Sequence, residues 1–284
     1  MADRAERIRI FEETMQTVKN DPALAAACRQ SMERQMFYPA DTALPPLPAH
    51  RFSCAETRIL SRRRTFEAAA PYAKAGKHVC VLNFASAYMP GGGVTRGASA
   101  QEECLCRIST LYPALTDSRM FEQFYRKHRS DIEAGRMGRE NNSDCIFTPA
   151  VTVIRADTDS CAPLPREDWY QTDVITCAAP DLRYDPDAKK PFLPTESDLD
   201  LLLRERTGRI LSVAALHGAD VLILGAFGCG VFCDPPKTVA KAFEAACDAM
   251  RGAFETVEFA VYCTPGHSEN YDAFSHITNI KAVE

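Results

Sequence analysis

Gln101, Glu102 and Glu103 stand together eight residues beyond a run of three glycines, Gly91, Gly92 and Gly93. Adjacent carboxylates can serve as acid and base in glycosidic cleavage, where one carboxyl protonates a poor leaving group and later activates water. The plainer account of a Glu pair in a helix's first turn is a complement to the helix dipole, worth roughly 0.3–1 kcal/mol. A second glycine loop, Gly225–Phe232 (GAFGCGVF), follows the apolar run Val221–Leu224. Glycines at strand ends let backbone N–H groups approach a phosphate, and a following helix adds its positive end. Two such loops fit one extended ligand carrying a diphosphate, though each is also readable as a tight turn.

Other chemistries lack their fingerprints. No G-x-G-x-x-G opens the first helix and no G-x-x-x-x-G-K-[ST] occurs, which disfavours a redox Rossmann enzyme and a P-loop kinase. The six histidines form no HExxH. Of twelve cysteines, Cys104 and Cys106 point apart on a predicted helix, and Cys229 and Cys233 have no second close pair to complete a zinc set. Cys80, Cys177 and Cys263 fall in apolar runs and read as small core hydrophobes. No metal and no other cofactor is expected.

The surrounding elements alternate. Residues 1–38 read as two helices, the second running from Ala23 to Met36, and Pro39–Pro48 holds four prolines in ten residues, a loop or linker. Helices are predicted over Thr65–Ala75, Ala100–Leu115, Arg119–Ala134, Ser197–Leu216, Pro236–Met250 and Asn270–Ile277. Strands are predicted over His78–Ala85, Cys145–Arg155, Asp173–Cys177, Val221–Phe227 and Val257–Cys263. Buried apolar strands alternating with helices imply an α/β fold, a central sheet covered on both faces. In such sheets ligands collect at the carboxyl ends of strands, where both glycine loops lie.

The 284 residues carry 33 Lys+Arg against 38 Asp+Glu, a net charge of -5, with 46% apolar residues. That is ordinary globular composition and excludes disordered, collagen-like and coiled-coil classes. The acidic balance argues against general or sequence-specific nucleic-acid binding. No apolar run approaches a membrane span, and the charged start MADRAERIRIFEE lacks a signal core, so an intracellular, cytoplasmic protein (or a nuclear one, if eukaryotic) is expected.

Asn83-Phe84-Ala85-Ser86-Ala87, Pro90 with the triple glycine, and Gln101-Glu102-Glu103 after a seven-residue spacer resemble the signature of bacterial-type poly(ADP-ribose) glycohydrolases. Gly228-Cys229-Gly230-Val231-Phe232 is similar to the second phosphate loop of macrodomains. The resemblance implies a macrodomain-like three-layer α/β/α fold with a mixed sheet, residues 49–284, behind an N-terminal helical extension and linker, residues 1–48. It implies Glu103 as the catalytic acid and base, with Glu102 positioning the ribose. It sets Asn83 near the distal ribose, Gly91, Gly92, Gly93 and Val94 along the distal ribose and diphosphate, and Gln101 among the substrate-binding residues. Gly228 to Phe232 would wrap the diphosphate from the other side, with Phe232 against ribose. For adenine it leaves Tyr271 or Phe274, either of which could equally be core. The implied activity is hydrolysis of ribose–ribose bonds in poly(ADP-ribose), releasing ADP-ribose, with poly(ADP-ribose) or ADP-ribosylated proteins as substrate and no membrane partner. A mono-ADP-ribosyl hydrolase and a non-catalytic ADP-ribose reader are the alternatives. A reader would need the glycine loops but not the Gln-Glu-Glu.

Overall fold

Apolar runs become strands where helices can cover both of their faces. The computed structural model describes residues 3–48, 51–184, 192, 194–264 and 266–283. Helices α1 (Arg4–Asn20) and α2 (Pro22–Glu33) lead into strand β1 (Met36–Tyr38). Strand β2 (Thr57–Ser61), helix α3 (Thr65–Lys74) and strand β3 (Val79–Phe84) follow. Then come α4 (Gln101–Ile108), α5 (Leu111–Leu115), α6 (Ser118–Met120) and α7 (Lys127–Glu133). A π-helical turn, Phe121–Arg126, joins the last two. The rest of the body is β4 (Cys145–Val153), β5 (Tyr170–Cys177), α8 (Glu196–Leu216), β6 (Val221–Leu224), α9 (Pro236–Ala249), β7 (Thr256–Ala260), α10 (Glu269–Phe274) and β8 (Ile280–Val283).

Among the described residues the strands form one eight-stranded sheet in the order β1-β4-β5-β3-β6-β7-β2-β8. β5 through β8 pair in parallel, while β4 runs antiparallel to both β5 and β1, so the sheet is mixed. One face packs on Leu203 of α8, Phe243 of α9 and Phe274 of α10. The other packs on Phe11 of α1, Phe66 of α3, Leu105 of α4 and Leu111 of α5. These are the three layers of the α/β/α arrangement. β3 and β6 are adjacent and parallel, so both glycine loops leave the same edge of the sheet side by side.

Several boundaries depart from expectation. The helix expected through Met36 ends at Glu33, and Met36–Tyr38 instead pairs with Cys145–Phe147 as an edge strand. The helix expected over Ala100–Leu115 breaks at Ser109, which bridges to Val153, and the Thr110 N–H donates to Thr152 O at 3.0 Å. Competition from a strand edge outweighs helix continuation there. The strand expected to Cys263 ends at Ala260, where pairing with Ser61 stops. Cys80 and Cys177 are core residues, but Cys263 is half-buried, and its Sγ accepts from Arg62 Nη1 at 2.7 Å. Strands β2 and β8 had no counterpart in the pattern reading. No helix among the described residues is long and apolar enough to cross a membrane.

Candidate active site

The chain must place α4 accurately, and Gln101 does so. β3 pairs with β6 only through Val79–Val81. Beyond that point Gln101 Nε2 donates to Leu82 O at 2.8 Å and to Thr65 Oγ1 at 3.0 Å. Its Oε1 accepts from the Phe84 N–H at 2.9 Å. The amide thus satisfies strand groups that no neighbouring strand reaches, and it fixes the first turn of α4 against the end of β3.

That turn presents two carboxyls in different surroundings. Glu102, 3% exposed, accepts from the Ser86 N–H at 2.9 Å and from Asn83 Nδ2 at 3.3 Å. Burial pushes its pKa up to about 8, the Glu103 charge adds to the rise, and the Ser86 N–H opposes it. Glu103, 8% exposed, accepts from the Gly93 N–H at 2.8 Å through Oε1, while Oε2 is buried without a partner. Gly92 has φ +55°, and a Cβ there would overlap Glu103 Oε1 and stand 3.2 Å from Glu102 Oε2. The middle glycine is therefore demanded twice, by its left-handed backbone and by the carboxylates beneath it.

A cavity of about 540 Å³ runs along this edge of the sheet. Its walls bring together Gly92, Gln101, Glu102 and Glu103 from the first loop and α4 with Gly228, Gly230, Val231 and Phe232 from the second loop. Other expected residues stand behind the wall. Asn83 is fully buried and holds Glu102. Gly91 lies against Tyr112, and Val94 belongs to the core beside α1. Gly93 supplies the N–H that holds Glu103, and Cys229 Sγ is turned to Phe227 O at 3.6 Å.

The adenine expectation needs correction. Phe274 has no exposed surface and packs on Phe259, 5.4 Å between ring centroids, because α10 turns that face into the core. Tyr271 is off the cavity wall, its ring covered by the Arg62 guanidinium at 4.1 Å. The wall also includes Tyr262, Asn270, Arg64 and Asp157, none of which the pattern reading singled out. Tyr262 is 45% exposed, with the Arg64 guanidinium 4.5 Å from its ring centre. Its place just after β7, at a strand's carboxyl end, was the available signal. Asp157 is buried and raised to about 6 by desolvation, against the Phe66 N–H bonded to it. Among the described residues no three His, Cys, Asp or Glu side chains are grouped to hold a metal ion.

Known proteins share this fold. The family model described as microbial-type PARG, catalytic domain (PARG being poly(ADP-ribose) glycohydrolase) matches residues 5–156. The chain is 31% identical to the poly(ADP-ribose) glycohydrolase of Thermomonospora curvata, covering 96% of this chain and 99% of that one with a TM-score of 0.81. The same enzyme bound to the inhibitor ADP-HPD aligns with a TM-score of 0.80 at 31% identity over the same shares of both chains. The Deinococcus radiodurans glycohydrolase in complex with ADP-ribose is 30% identical, covers 87% of this chain and 94% of that one, and has a TM-score of 0.72. No curated protein matches the chain. The chain belongs to the microbial-type poly(ADP-ribose) glycohydrolase family.

Proposed function

We propose that the protein hydrolyses the ribose–ribose O-glycosidic bonds of poly(ADP-ribose) and releases ADP-ribose, with Glu103 as general acid and base. The observation that carries this reading is the buried, unpartnered Oε2 of Glu103 on the wall of a cavity bounded by both glycine loops. A carboxyl held by one oxygen to the Gly93 N–H keeps the other for a leaving oxygen. The bond cut joins a ribose anomeric carbon to a hydroxyl of the next unit, and that alcohol departs only if it is protonated as the bond breaks. Glu103 hands over the proton while an oxocarbenium-like ribose forms, then takes one from the attacking water. Glu102, gripped by Asn83 and the Ser86 N–H, orients the ribose hydroxyls. The diphosphate lies between Gly92 and the Gly228–Phe232 loop, and its charge stabilises the cationic ribose. In this reading the base lies against Tyr262, and Asn83, Gly91, Gly93 and Val94 hold the machinery from behind the wall. ADP-ribose, the ligand carried by the Deinococcus radiodurans relative, is the product of this reaction.

The test is release of ADP-ribose from poly(ADP-ribose) by wild type and Glu103→Gln, with a mono-ADP-ribosylated protein as second substrate. Turnover should fall about a hundred- to ten-thousand-fold in the variant, with ADP-ribose affinity nearly unchanged. ADP-ribose binding without release from the polymer would reduce the protein to a reader. Release only from the mono-modified protein would make it a mono-ADP-ribosyl hydrolase.

A further inference from the structure

The second glycine loop returns on itself. The Asp234 N–H donates to Gly228 O at 3.1 Å and the Cys233 N–H to Gly230 O at 3.2 Å, so residues 228–234 close into a ring at the end of β6. Asp234 is 1% exposed and neither of its carboxyl oxygens has a hydrogen-bond partner. A Cβ on Gly228, φ +75°, would overlap Asp234 Oδ2 and stand 2.7 Å from Ala179 Cβ. The Gly228 backbone therefore rests on this carboxyl on one side and lines the substrate cavity on the other.

We propose that Asp234 is a positioning residue for the reaction, an uncharged carboxyl that seats the Gly228–Phe232 loop against the substrate diphosphate. The proposal rests on the function proposed above. An unpaired carboxylate in an apolar interior is expensive, and the group neutralises instead. The charged groups around it do not compensate. Arg206 of α8 spends Nη1 on Ala178 O at 2.9 Å and Nη2 on Glu140 O at 3.1 Å, and its Nε is bonded to nothing. Asp181, after β5, is already paired with Arg139 at 2.8 Å and Arg183 at 2.6 Å. Cys229, in the loop itself, is a thiol that burial pushes upward. Desolvation raises Asp234 to about 8, with Arg206 opposing and Asp181 adding. Ionisation would set a negative charge directly behind a loop that holds two phosphates. Substrate should therefore bind the uncharged form better and lose affinity as the pH passes 8.

Glu102 ionises over the same range, so the measurement is made without it. ADP-ribose affinity is titrated by calorimetry at pH 7 and 9.5 on the full chain carrying Glu102→Gln, with and without Asp234→Asn. The single variant should bind about tenfold more weakly at pH 9.5, the loss expected if bound diphosphate raises the carboxyl by one pH unit. The double variant should bind equally at both. Asp234→Ser, smaller and also uncharged, replaces the amide if that chain does not fold. A flat profile in the single variant, or an alkaline loss that survives removal of Asp234, overturns the proposal. Absence of ADP-ribose binding by the wild type at pH 7 would instead remove the functional reading, and the proposal with it.

Discussion

Glu102 and Glu103 are neighbours in sequence and opposites in circumstance, and that difference is measurable. Glu102 has an ordinary pKa of 4.5 and is raised to about 8 in the fold. A carboxyl raised by folding favours the native state below its unfolded pKa, and that contribution is lost as the pH climbs from about 4.5 through 8. The melting temperature of the wild type should accordingly fall between pH 5 and 9. Glu102→Gln, which has no charge to bury, should recover several degrees at pH 9 and little at pH 5, read by scanning calorimetry. Asp157 and Asp234 are raised in the same sense, so part of the decline should remain. An alkaline melting temperature unchanged by the substitution would mean that Glu102 is charged in the fold. Gly92 gives a second residue-scale expectation. Gly92→Ala forces a methyl into Glu103 Oε1 from a backbone that only glycine holds without strain. Displacing the acid by about an ångström should cut turnover about a hundredfold, while the strain of about 1–3 kcal/mol lowers the melting temperature by several degrees without unfolding the protein.

At the scale of elements, the loop after β6 is the part whose failure should appear in binding rather than in chemistry. Gly228→Val places a branched side chain on a left-handed backbone and into Asp234. ADP-ribose affinity should drop about tenfold or more, the range that one strained residue costs. An unaltered affinity would return this loop to the status of a tight turn. Much of this scale was legible from pattern. The long helix α8, the buried strands β3 and β6 and both glycine loops follow from apolar periodicity and glycine spacing. The short strands at or near the sheet edges were not legible. Met36–Tyr38 and Ile280–Val283 span three and four residues, too few for a period of two to show, and their partners lie far away in sequence. The site divides in the same way. Gln101, Glu102 and Glu103 announce themselves by sitting together. Asp157, Asp234 and Tyr262 carry no local motif and become significant only when the sheet brings strand ends side by side. Phe274 was one of two aromatic candidates for the base, and helix α10 buries it instead.

Over the whole molecule, the N-terminal helix α1 borders the site directly, and its Arg7 lines the cavity. Arg4 Nε donates to Arg96 O at 2.7 Å and Arg7 Nε to Gly97 O at 2.6 Å, both in the turn between the triple glycine and α4. Gly97, φ +72°, lies so close to α1 that a Cβ would stand 2.5 Å from Arg4 O. Ile10 and Phe11 of the same helix enter the core that α4 and α5 share. The helix thus clamps the turn whose far end supplies the Gly93 N–H to Glu103. Two variants separate clamping from folding. Deleting residues 1–20 removes buried side chains worth roughly 1.5–3 kcal/mol each and should lower the melting temperature sharply. Arg4→Ala with Arg7→Ala removes the two hydrogen bonds to the turn, about 1 kcal/mol each, together with the other contacts Arg7 makes at the cavity wall, and leaves Ile10 and Phe11 in place. That double variant should stay folded and bind ADP-ribose through the second loop, yet turn over poly(ADP-ribose) about tenfold more slowly, because a loosened turn lets Glu103 wander from the leaving oxygen. Equal turnover in the double variant and the wild type would confine α1 to a structural role and leave the glycine turn to hold itself.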